Sequence, residues 1–363
     1  MLGRPRRLAI LAEGRFTPLD AKTAVGVLRY RPEEVAAVLD TTRAGHTAME
    51  CVGVGGPTPV VGTVAEAAAL GADTLMIGVA PQGGRLPAAW RAKVLDALGR
   101  GWDVLAGLHD FLADDPEFVA AARAHGATLR DARRPPDHTP IAARRAATVD
   151  ARVVLTVGSD CNVGKMTAAL ELTAALHARG VRTAFVATGQ TGIFCADQGV
   201  AVDAVRADFV AGFTEEMVVA AAAGAEVVVV EGQGSLHHPA YSGVTLGLLH
   251  GACPSALVLC HEAGRETVRG PGGRRDPGDP VIPPLAELVR IYEQAAAWIH
   301  PTKVVAVALN TQALDPPAAR EAVTRAARET GLPACDPVRD GATVLAGAVM
   351  AVERTRSGHA PHA

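Results

Sequence analysis

Short apolar runs alternate with helical patterns along the first 130 residues of the chain. RLAILAEG has the composition of a buried strand, TPVVGTVAEAAALGADTLMIGVAP follows a strand–helix–strand pattern, and LPAAWRAKVLDALGRG has the periodicity of an amphipathic helix. Strands that alternate with helices favour a parallel sheet covered on both faces. The pattern therefore predicts an α/β domain of Rossmann-like architecture over residues 1–130.

This first domain lacks the sequence signature of a dinucleotide site. The GxGxxG fingerprint should follow the first strand directly, but the chain continues there as AEGRFTPLDAKTA. The glycines of GVGGPTPVVG precede a strand and open no helix. We expect the architecture without NAD binding.

A second α/β series begins abruptly at VVLTVG. Further strand candidates are RTAFVAT, AEVVVVEG, SALVLCH and KVVAVALN, with helical patterns between them. The stretch from 131 to 151 is rich in Pro and Arg and has little apolar periodicity, which predicts a linker. We expect a second domain over residues 152–353 and a disordered tail over residues 354–363.

Composition excludes several classes of protein. Aromatic residues make up 4% of the chain and the formal net charge is −3, which argues against nucleic-acid binding. No apolar run reaches the ~18–20 residues that span a bilayer, and the run after the basic N-terminus is too short for a signal peptide. The six cysteines form no CxxC pair. A reduced, cytoplasmic protein without a membrane segment is expected.

The stretch VVLTVGSDCNVGKMTAALEL combines a strand, a glycine-rich turn, a lysine and a helix. In a P-loop, backbone N–H groups and the positive end of the following helix surround an anion, and the lysine adds a full charge. Five residues, one more than the standard four, separate the two loop glycines. The pattern predicts a P-loop NTPase-like domain. The predicted cofactor-binding residues of the loop are Gly158, Ser159, Asp160, Cys161, Asn162, Val163, Gly164, Lys165, Met166 and Thr167.

Met166 stands where a P-loop normally has a serine or threonine that ligates magnesium. A thioether is a poor ligand for such a hard cation. Thr167 lies about 100° further around a helix and does not automatically replace the missing ligand. If magnesium is used, Thr167 and Glu231 are its predicted ligands. Without it, the loop would hold a diphosphate well and support phosphoryl transfer poorly.

The longer loop resembles that of dethiobiotin synthetase and its ATP-dependent relatives. Two later features resemble the same superfamily in the expected order. Glu231 ends the strand of AEVVVVEGQGS, where those enzymes position magnesium and substrate. Asn310 ends the strand of VVAVALNT, where relatives contact the nucleotide base, and is predicted to bind the cofactor.

Nearly the whole chain also resembles a narrower family that includes D-glutamate N-acetyltransferases and pairs a Rossmann-like half with a P-loop half. The strings that carry this resemblance are KTAVGVLRY, GSDCNVGKMTAALEL, ATGQTGI, DAVRADFVAG, EGQGSLHHPAYSGVTLGLLHG, LVLCHEAGRE, PPLAELVRIYE and VALNT. The resemblance implies acetyl-CoA as donor and an acidic amino acid as acceptor. Because coenzyme A carries a diphosphate, a phosphate loop with weakened metal binding suits this donor. The loop GRETVRGPGGRRDPGDPVI at 264–282 departs from the family through its extra Gly, Pro and Arg residues.

Acetyl transfer to an amine needs a group that accepts a proton and cations that bind substrate carboxylates. Polar residues that follow the strands meet at the carboxyl edge of a parallel sheet, where such folds bind ligands. The predicted catalytic residues are His237, His238, Glu231 and His261. A histidine that packs against Tyr241 or caps a helix is the structural alternative for the His237–His238 pair.

The predicted substrate-binding residues come from the same edge and from the arginine-rich loop. They are Thr188, Gln190, Thr191, Asp208, Gly232, Gln233, Ser235, Glu262, Arg265 and Arg269. Arg274 and Arg275 are further candidates for a bidentate carboxylate clamp. Each set has a structural alternative, either turn chemistry or a solvated surface cluster.

Three functions agree with these features. The first is an N-acetyltransferase that uses acetyl-CoA and D-glutamate or a related acidic amino acid. The second is a ligase or kinase that uses ATP and magnesium to activate a carboxylate. The third is a nucleotide-binding protein without enzymatic activity. Small-molecule partners and a homo-oligomer are expected, the latter from the general frequency of such assemblies.

Overall fold

The computed structural model describes residues 6–18, 20–79, 84–270 and 278–353. The chain divides into two compact units, one formed by residues 1–136 with 189–204 and the other by residues 137–188 with 205–363. The predicted tail, residues 354–363, lies outside the described residues. The first division, after residue 136, falls inside the segment 131–151 for which the sequence predicts a linker.

The first unit is built on a parallel sheet of six strands in the order β3–β2–β1–β4–β5–β6. Its strands are β1 Leu8–Leu11, β2 Val35–Leu39, β3 Val60–Val61, β4 Thr74–Ile77, β5 Asp103–Ala106 and β6 Leu129–Asp131. Its first five helices are α1 Lys22–Tyr30, α2 Ala48–Val52, α3 Val64–Ala69, α4 Arg91–Gly99 and α5 Pro116–His125. β1, β2, β4 and β5 are buried along their whole length, as expected for strands covered on both faces.

Local signals in the sequence fix where several helices begin. Thr47 and Thr63 each form a capping box, with Glu50 and Glu66 at the third helical position. Asp115 caps α5, whose first residue is Pro116. These caps satisfy backbone N–H groups that have no partner within the helix.

The second unit holds another six-stranded parallel sheet, in the order β12–β11–β10–β7–β9–β8. Its strands are β7 Arg152–Gly158, β8 Thr183–Val186, β9 Val227–Val230, β10 Ala256–Glu262, β11 Val304–Asn310 and β12 Ala334–Cys335. Its helices are α6 Lys165–Ala178, α8 Val210–Ala222, α9 Ser242–Ala252, α10 Leu285–Ala297, α11 Pro316–Thr330 and α12 Thr343–Met350. β7 lies between β10 and β9, so the loops that follow these three strands share one edge.

The remaining helix, α7 Gln190–Ala196, belongs to the first unit although it follows β8 in the chain. Phe194 is part of the apolar core around β1 and β4. The Thr191 hydroxyl lies 2.9 Å from that of Thr23 on α1, and Arg31 donates a 2.6 Å hydrogen bond to Asp197. The segment from 189 to 204 therefore completes the packing of the first unit.

The two faces of the second sheet have different partners. Val258 and Cys260 belong to the core that α6 and α12 cover. Because side chains alternate along a strand, His261 lies on the opposite face from Cys260. No helix in the described part of the chain is both long and apolar enough to span a membrane.

The predicted fold class is confirmed. Both units are parallel α/β structures, and the helix predicted after the glycine-rich turn is α6, which begins at Lys165.

Candidate active site

The loop between β7 and α6 has the backbone geometry of a phosphate cradle. Asn162 and Gly164 have positive φ angles of 57° and 104°, a backbone conformation typical of loops whose N–H groups bind an anion. Gly164 caps α6, which starts at Lys165. The N-terminus of a 14-residue helix therefore faces the concave side of the loop.

Lys165 lies inside this loop, where its exposure is 6%. Its ammonium group donates a 2.7 Å hydrogen bond to the Asp160 carbonyl. Burial lowers the pKa of Lys165, and nearby groups, among them Cys161 and Asp160, act in the opposite direction. The space beside it is tight, since a Cβ on Gly158 would lie 3.0 Å from the Lys165 nitrogen.

A second cation, Arg265, contacts the same loop from a distant part of the chain. Its side chain is 1% exposed, and Nη1 donates to the Cys161 carbonyl at 2.6 Å and to the Asp160 carboxylate at 2.9 Å. Nη2 pairs with Glu262. Nε is buried and has no hydrogen-bond partner among the described residues. The guanidinium is therefore held by the loop and by Glu262, while its Nε–H lacks an acceptor.

Arg269 completes a cluster of charges around the loop. Its backbone N–H donates to Asp160 at 3.0 Å, and its guanidinium donates to Glu262 at 3.1 Å. Arg265 and Arg269 thus pair with the carboxylates of Asp160 and Glu262, while Lys165 bonds to the Asp160 carbonyl. The prediction that Arg265 and Arg269 clamp a substrate carboxylate stays a prediction, because both guanidinium groups are paired within the chain. Arg274 and Arg275 lie outside the described residues.

The residues that bear on magnesium binding are Met166, which carries a thioether, and the predicted ligands Thr167 and Glu231, which carry oxygen atoms. Met166 and Thr167 are both half-buried in the first turn of α6. Glu231 is 3% exposed, and its carboxylate accepts a 2.9 Å hydrogen bond from the Thr188 N–H. Elsewhere in the described chain, ligand atoms of Asp160, Cys161 and His238 lie within 4.8 Å of one another, but Asp160 already accepts from Arg265.

A network of short polar contacts joins the ends of β8 and β9. The Thr188 hydroxyl donates to the Glu231 carbonyl at 2.7 Å and accepts from Gln233 at 3.1 Å. Gly232 donates to the Thr156 hydroxyl at 3.0 Å, and a Cβ on Gly232 would stand 1.6 Å from the Thr156 carbonyl oxygen. Only glycine fits at this point, where the chain crosses directly over β7.

His261, at the end of β10, contacts the loop through Ser159. Its Nδ1 lies 2.8 Å from the Ser159 hydroxyl, and Ser159 is fully buried. Burial, with a smaller contribution from Arg265, lowers the pKa of His261 to about 4. The imidazole is therefore neutral at physiological pH. Within the described part of the chain, Ser159 is its only side-chain hydrogen-bond partner.

The two adjacent histidines have different surroundings. His238 Nδ1 accepts from the Ala240 N–H at 3.1 Å, so Nε2 carries the proton and donates to the Arg269 carbonyl at 3.1 Å. Its ring packs on Tyr241 at 4.3 Å. His237 has a buried Nδ1 without a partner among the described residues, and burial lowers its pKa. The bonding of His238 agrees with the structural alternative for this pair.

The remaining predicted residues are dispersed. Ser235 is buried and donates to the Ser159 carbonyl at 3.1 Å. Asn310 accepts from the Gln312 N–H at 3.1 Å and lies next to Gly164. Asp208 is exposed. The structure places Gln190 and Thr191 in the first unit, whereas the loop belongs to the second.

One residue that the sequence reasoning missed is Tyr292 on α10. It is fully buried, its hydroxyl donates to the Gly158 carbonyl at 2.7 Å, and it accepts from the Leu236 N–H at 3.3 Å. Burial raises its pKa to about 12, so it remains a hydrogen-bond donor. The available signal was a single tyrosine within the apolar stripe of an amphipathic helix.

A lysine at a helix N-terminus, a glycine-rich loop and an acidic neighbouring strand end define a P-loop protein. Comparison with known families supports this class of protein. Residues 140–346 match a family model described as the P-loop domain of the family of unknown function DUF1611, and residues 41–135 match its Rossmann-like domain. The chain belongs to the DUF1611 family.

Two curated relatives carry the name D-glutamate N-acetyltransferase. The protein from Tritonibacter scottomollicae is 40% identical over 92% of this chain and 95% of its own length. The protein from a Pseudoalteromonas species is 37% identical over 77% of this chain and 82% of its own length. A crystal structure of a DUF1611 family protein from Anabaena variabilis has a TM-score of 0.89 and 41% identity over 95% of this chain and 99% of that one. The predicted family is confirmed, and the chain is an enzyme of the acyltransferase class.

Proposed function

We propose that this chain transfers an acetyl group from acetyl-CoA to the amine of D-glutamate or a closely related acidic amino acid. One observation carries the proposal. The phosphate loop holds two buried cations, Lys165 and Arg265, while Met166 takes the position of the usual magnesium ligand. Such a loop suits a diphosphate that is held rather than cleaved. The names of the two curated relatives support the same reaction.

The loop residues fit the phosphates of coenzyme A. The positive φ angles of Asn162 and Gly164 are typical of loops whose backbone N–H groups bind anions, and Lys165 and Arg265 supply positive charge beside them. Asn310, beside Gly164, is our candidate for contact with the adenine base. The thioether of Met166 fits magnesium poorly, and we assign no step to a metal.

The chemistry needs one bond made, one broken and one proton moved. The amine nitrogen forms a bond to the thioester carbonyl carbon, and the carbon–sulfur bond then breaks as its electron pair leaves on the thiolate. We assign to His261 the role of accepting the amine proton, since its low pKa keeps the imidazole neutral at pH 7. Ser159, 2.8 Å from Nδ1, holds the ring in place, and the proton passes to the departing thiolate.

The test is a direct assay of both donor types. The protein is incubated with D-glutamate and either acetyl-CoA or Mg-ATP, and free thiol, N-acetylglutamate and ADP are measured. Thiol and N-acetylglutamate formed in equal amounts, without added magnesium, are the expected result. ADP release with D-glutamate would favour the ATP-dependent ligase, and no product from either donor would favour a binding protein. L-glutamate and D-aspartate in parallel reactions define the acceptor.

A further inference from the structure

A cavity of about 420 Å³ lies in the second unit beside the carboxyl ends of β10 and β11 and against α10 and α11. Its volume falls within the range of small-molecule sites. Most of its lining is apolar and includes Ile282, Pro283, Leu285, Leu309 and Ala326. Leu285 starts α10 and Ala326 lies on α11, so rigid elements form two of its walls.

Two residues line this cavity and also contact the phosphate loop. His261 lines the cavity and contacts Ser159 at 2.8 Å. Arg265 lines it as well, while its guanidinium donates to the Cys161 carbonyl at 2.6 Å. The two sites therefore adjoin, and one ligand can occupy both if it joins phosphates to a second moiety.

The charges around the cavity do not favour an anion. Three exposed charged side chains line it: Glu266, Arg325 and Glu329. The buried Arg265 also lines it, but this guanidinium is already paired with Asp160 and Glu262. The cavity therefore offers no excess of positive charge to a dicarboxylate such as the acidic acceptor, whereas an uncharged chain with a few amide groups needs none.

We infer that this cavity holds the uncharged pantetheine arm of an acyl-CoA donor and presents the thioester to His261. The inference rests on the proposed function, since it takes the donor from there. It adds that donor recognition is divided, with phosphates bound at the loop and the arm bound between α10 and α11. The acceptor carboxylates consequently bind outside this cavity.

The test fills the cavity by substitution and measures the affinity for each part of the donor separately. Ala326→Leu adds volume to the α11 wall, and Val281→Trp adds it at a lining residue that is 73% exposed, where the fold tolerates bulk. Ala327→Leu is the matched control, because Ala327 is the next residue on the same helix, is half-buried and is not among the cavity-lining residues. Calorimetry gives the Kd of pantetheine, ADP and coenzyme A, and steady-state assays give KM for acetyl-CoA.

We expect Ala326→Leu and Val281→Trp to raise the Kd of pantetheine and of coenzyme A at least tenfold and to leave that of ADP unchanged. Ala327→Leu should match the wild type. If the wild type acetylates D-glutamate but both filled variants keep normal pantetheine binding and KM, the cavity is not the arm site and the proposed function stands. If the wild type releases no thiol from acetyl-CoA, the proposed function fails and this inference fails with it.

Discussion

Arg265 donates a 2.6 Å hydrogen bond to the carbonyl of Cys161, a residue 104 positions earlier in the chain and inside the phosphate loop. A buried guanidinium therefore adds a fixed positive charge beside the loop, where many P-loop proteins also use a metal ion. Unlike a metal, it also holds a fixed set of hydrogen-bond directions. Its other partners, Asp160 and Glu262, keep it in place before a ligand binds.

Removing either cation should weaken the binding of donor phosphates. We expect Lys165→Ala and Arg265→Ala to raise KM for acetyl-CoA by about 10- to 100-fold, since each loses a charge-assisted hydrogen bond. The exposed Lys303, mutated to alanine, is the control for removal of a charge. The acetyl thioester of pantetheine, which lacks the diphosphate, should react equally with the wild type and Lys165→Ala. An equal loss with both donors would contradict a role in phosphate binding.

Position 166 should decide whether the loop uses magnesium. With Met166, we expect acetyl transfer at the same rate in EDTA as in excess magnesium, because a thioether does not ligate this ion. Met166→Thr restores a hydroxyl after the lysine and should make ADP binding tighter when magnesium is added. Calorimetry with and without magnesium measures the difference. A wild-type activity that EDTA abolishes would overturn the metal-free assignment.

Gly232 should tolerate no side chain. A Cβ there would stand 1.6 Å from the Thr156 carbonyl oxygen, so Gly232→Ala must displace β7 or the EGQG turn and should cost more than about 3 kcal/mol of unfolding free energy. Gly243→Ala is the matched control within α9, where a Cβ meets no atom within 4 Å. This second change should leave the free energy of unfolding within about 0.5 kcal/mol of the wild type, because Gly243 is exposed in the first turn of α9. Urea unfolding of both variants distinguishes a local clash from a general intolerance of substitution.

The low pKa of His261 has a consequence for stability. The folded pKa is about 4, below the ordinary value of 6.5, so the unfolded chain binds more protons between these pH values. The part of the unfolding free energy that depends on a neutral His261 is therefore fully present above pH 6.5. It is lost as the pH falls through 4. Its size is about 3 kcal/mol.

Unfolding measured from pH 4 to 7 on the wild type and His261→Gln tests this effect. The wild type should lose stability more steeply than the variant as the pH falls. Parallel curves would show that His261 titrates normally. His261→Gln should also slow acetyl transfer at pH 7 without changing KM for acetyl-CoA, if the imidazole accepts the amine proton.

Much of this architecture was readable from local patterns. Alternating apolar runs predicted the two parallel sheets, and the stretch from Gly158 to Thr167 predicted a P-loop, because strand, turn, lysine and helix are neighbours in the chain. The same reading identified Glu231 and His261 at strand ends, since carboxyl ends of parallel strands meet at one edge.

Contacts between distant segments were beyond such patterns. Nothing local indicated that Tyr292 would donate to Gly158 across 134 positions, or that Arg265 would enter the loop rather than remain in solvent. The helix Gln190–Ala196 follows a strand of the second unit yet packs in the first, where Phe194 joins its core. Such outcomes depend on which apolar and charged side chains pack against one another in the folded protein.

The sequence by itself determined the two α/β units and the position of the phosphate loop, because periodicity and turn chemistry act over a few residues. Only the tertiary structure decided which cations enter that loop, which histidine contacts it and where an uncharged arm has room. Those choices depend on burial, which lowers the pKa of His261 and pairs Arg265 with Asp160, and burial is a property of the assembled fold.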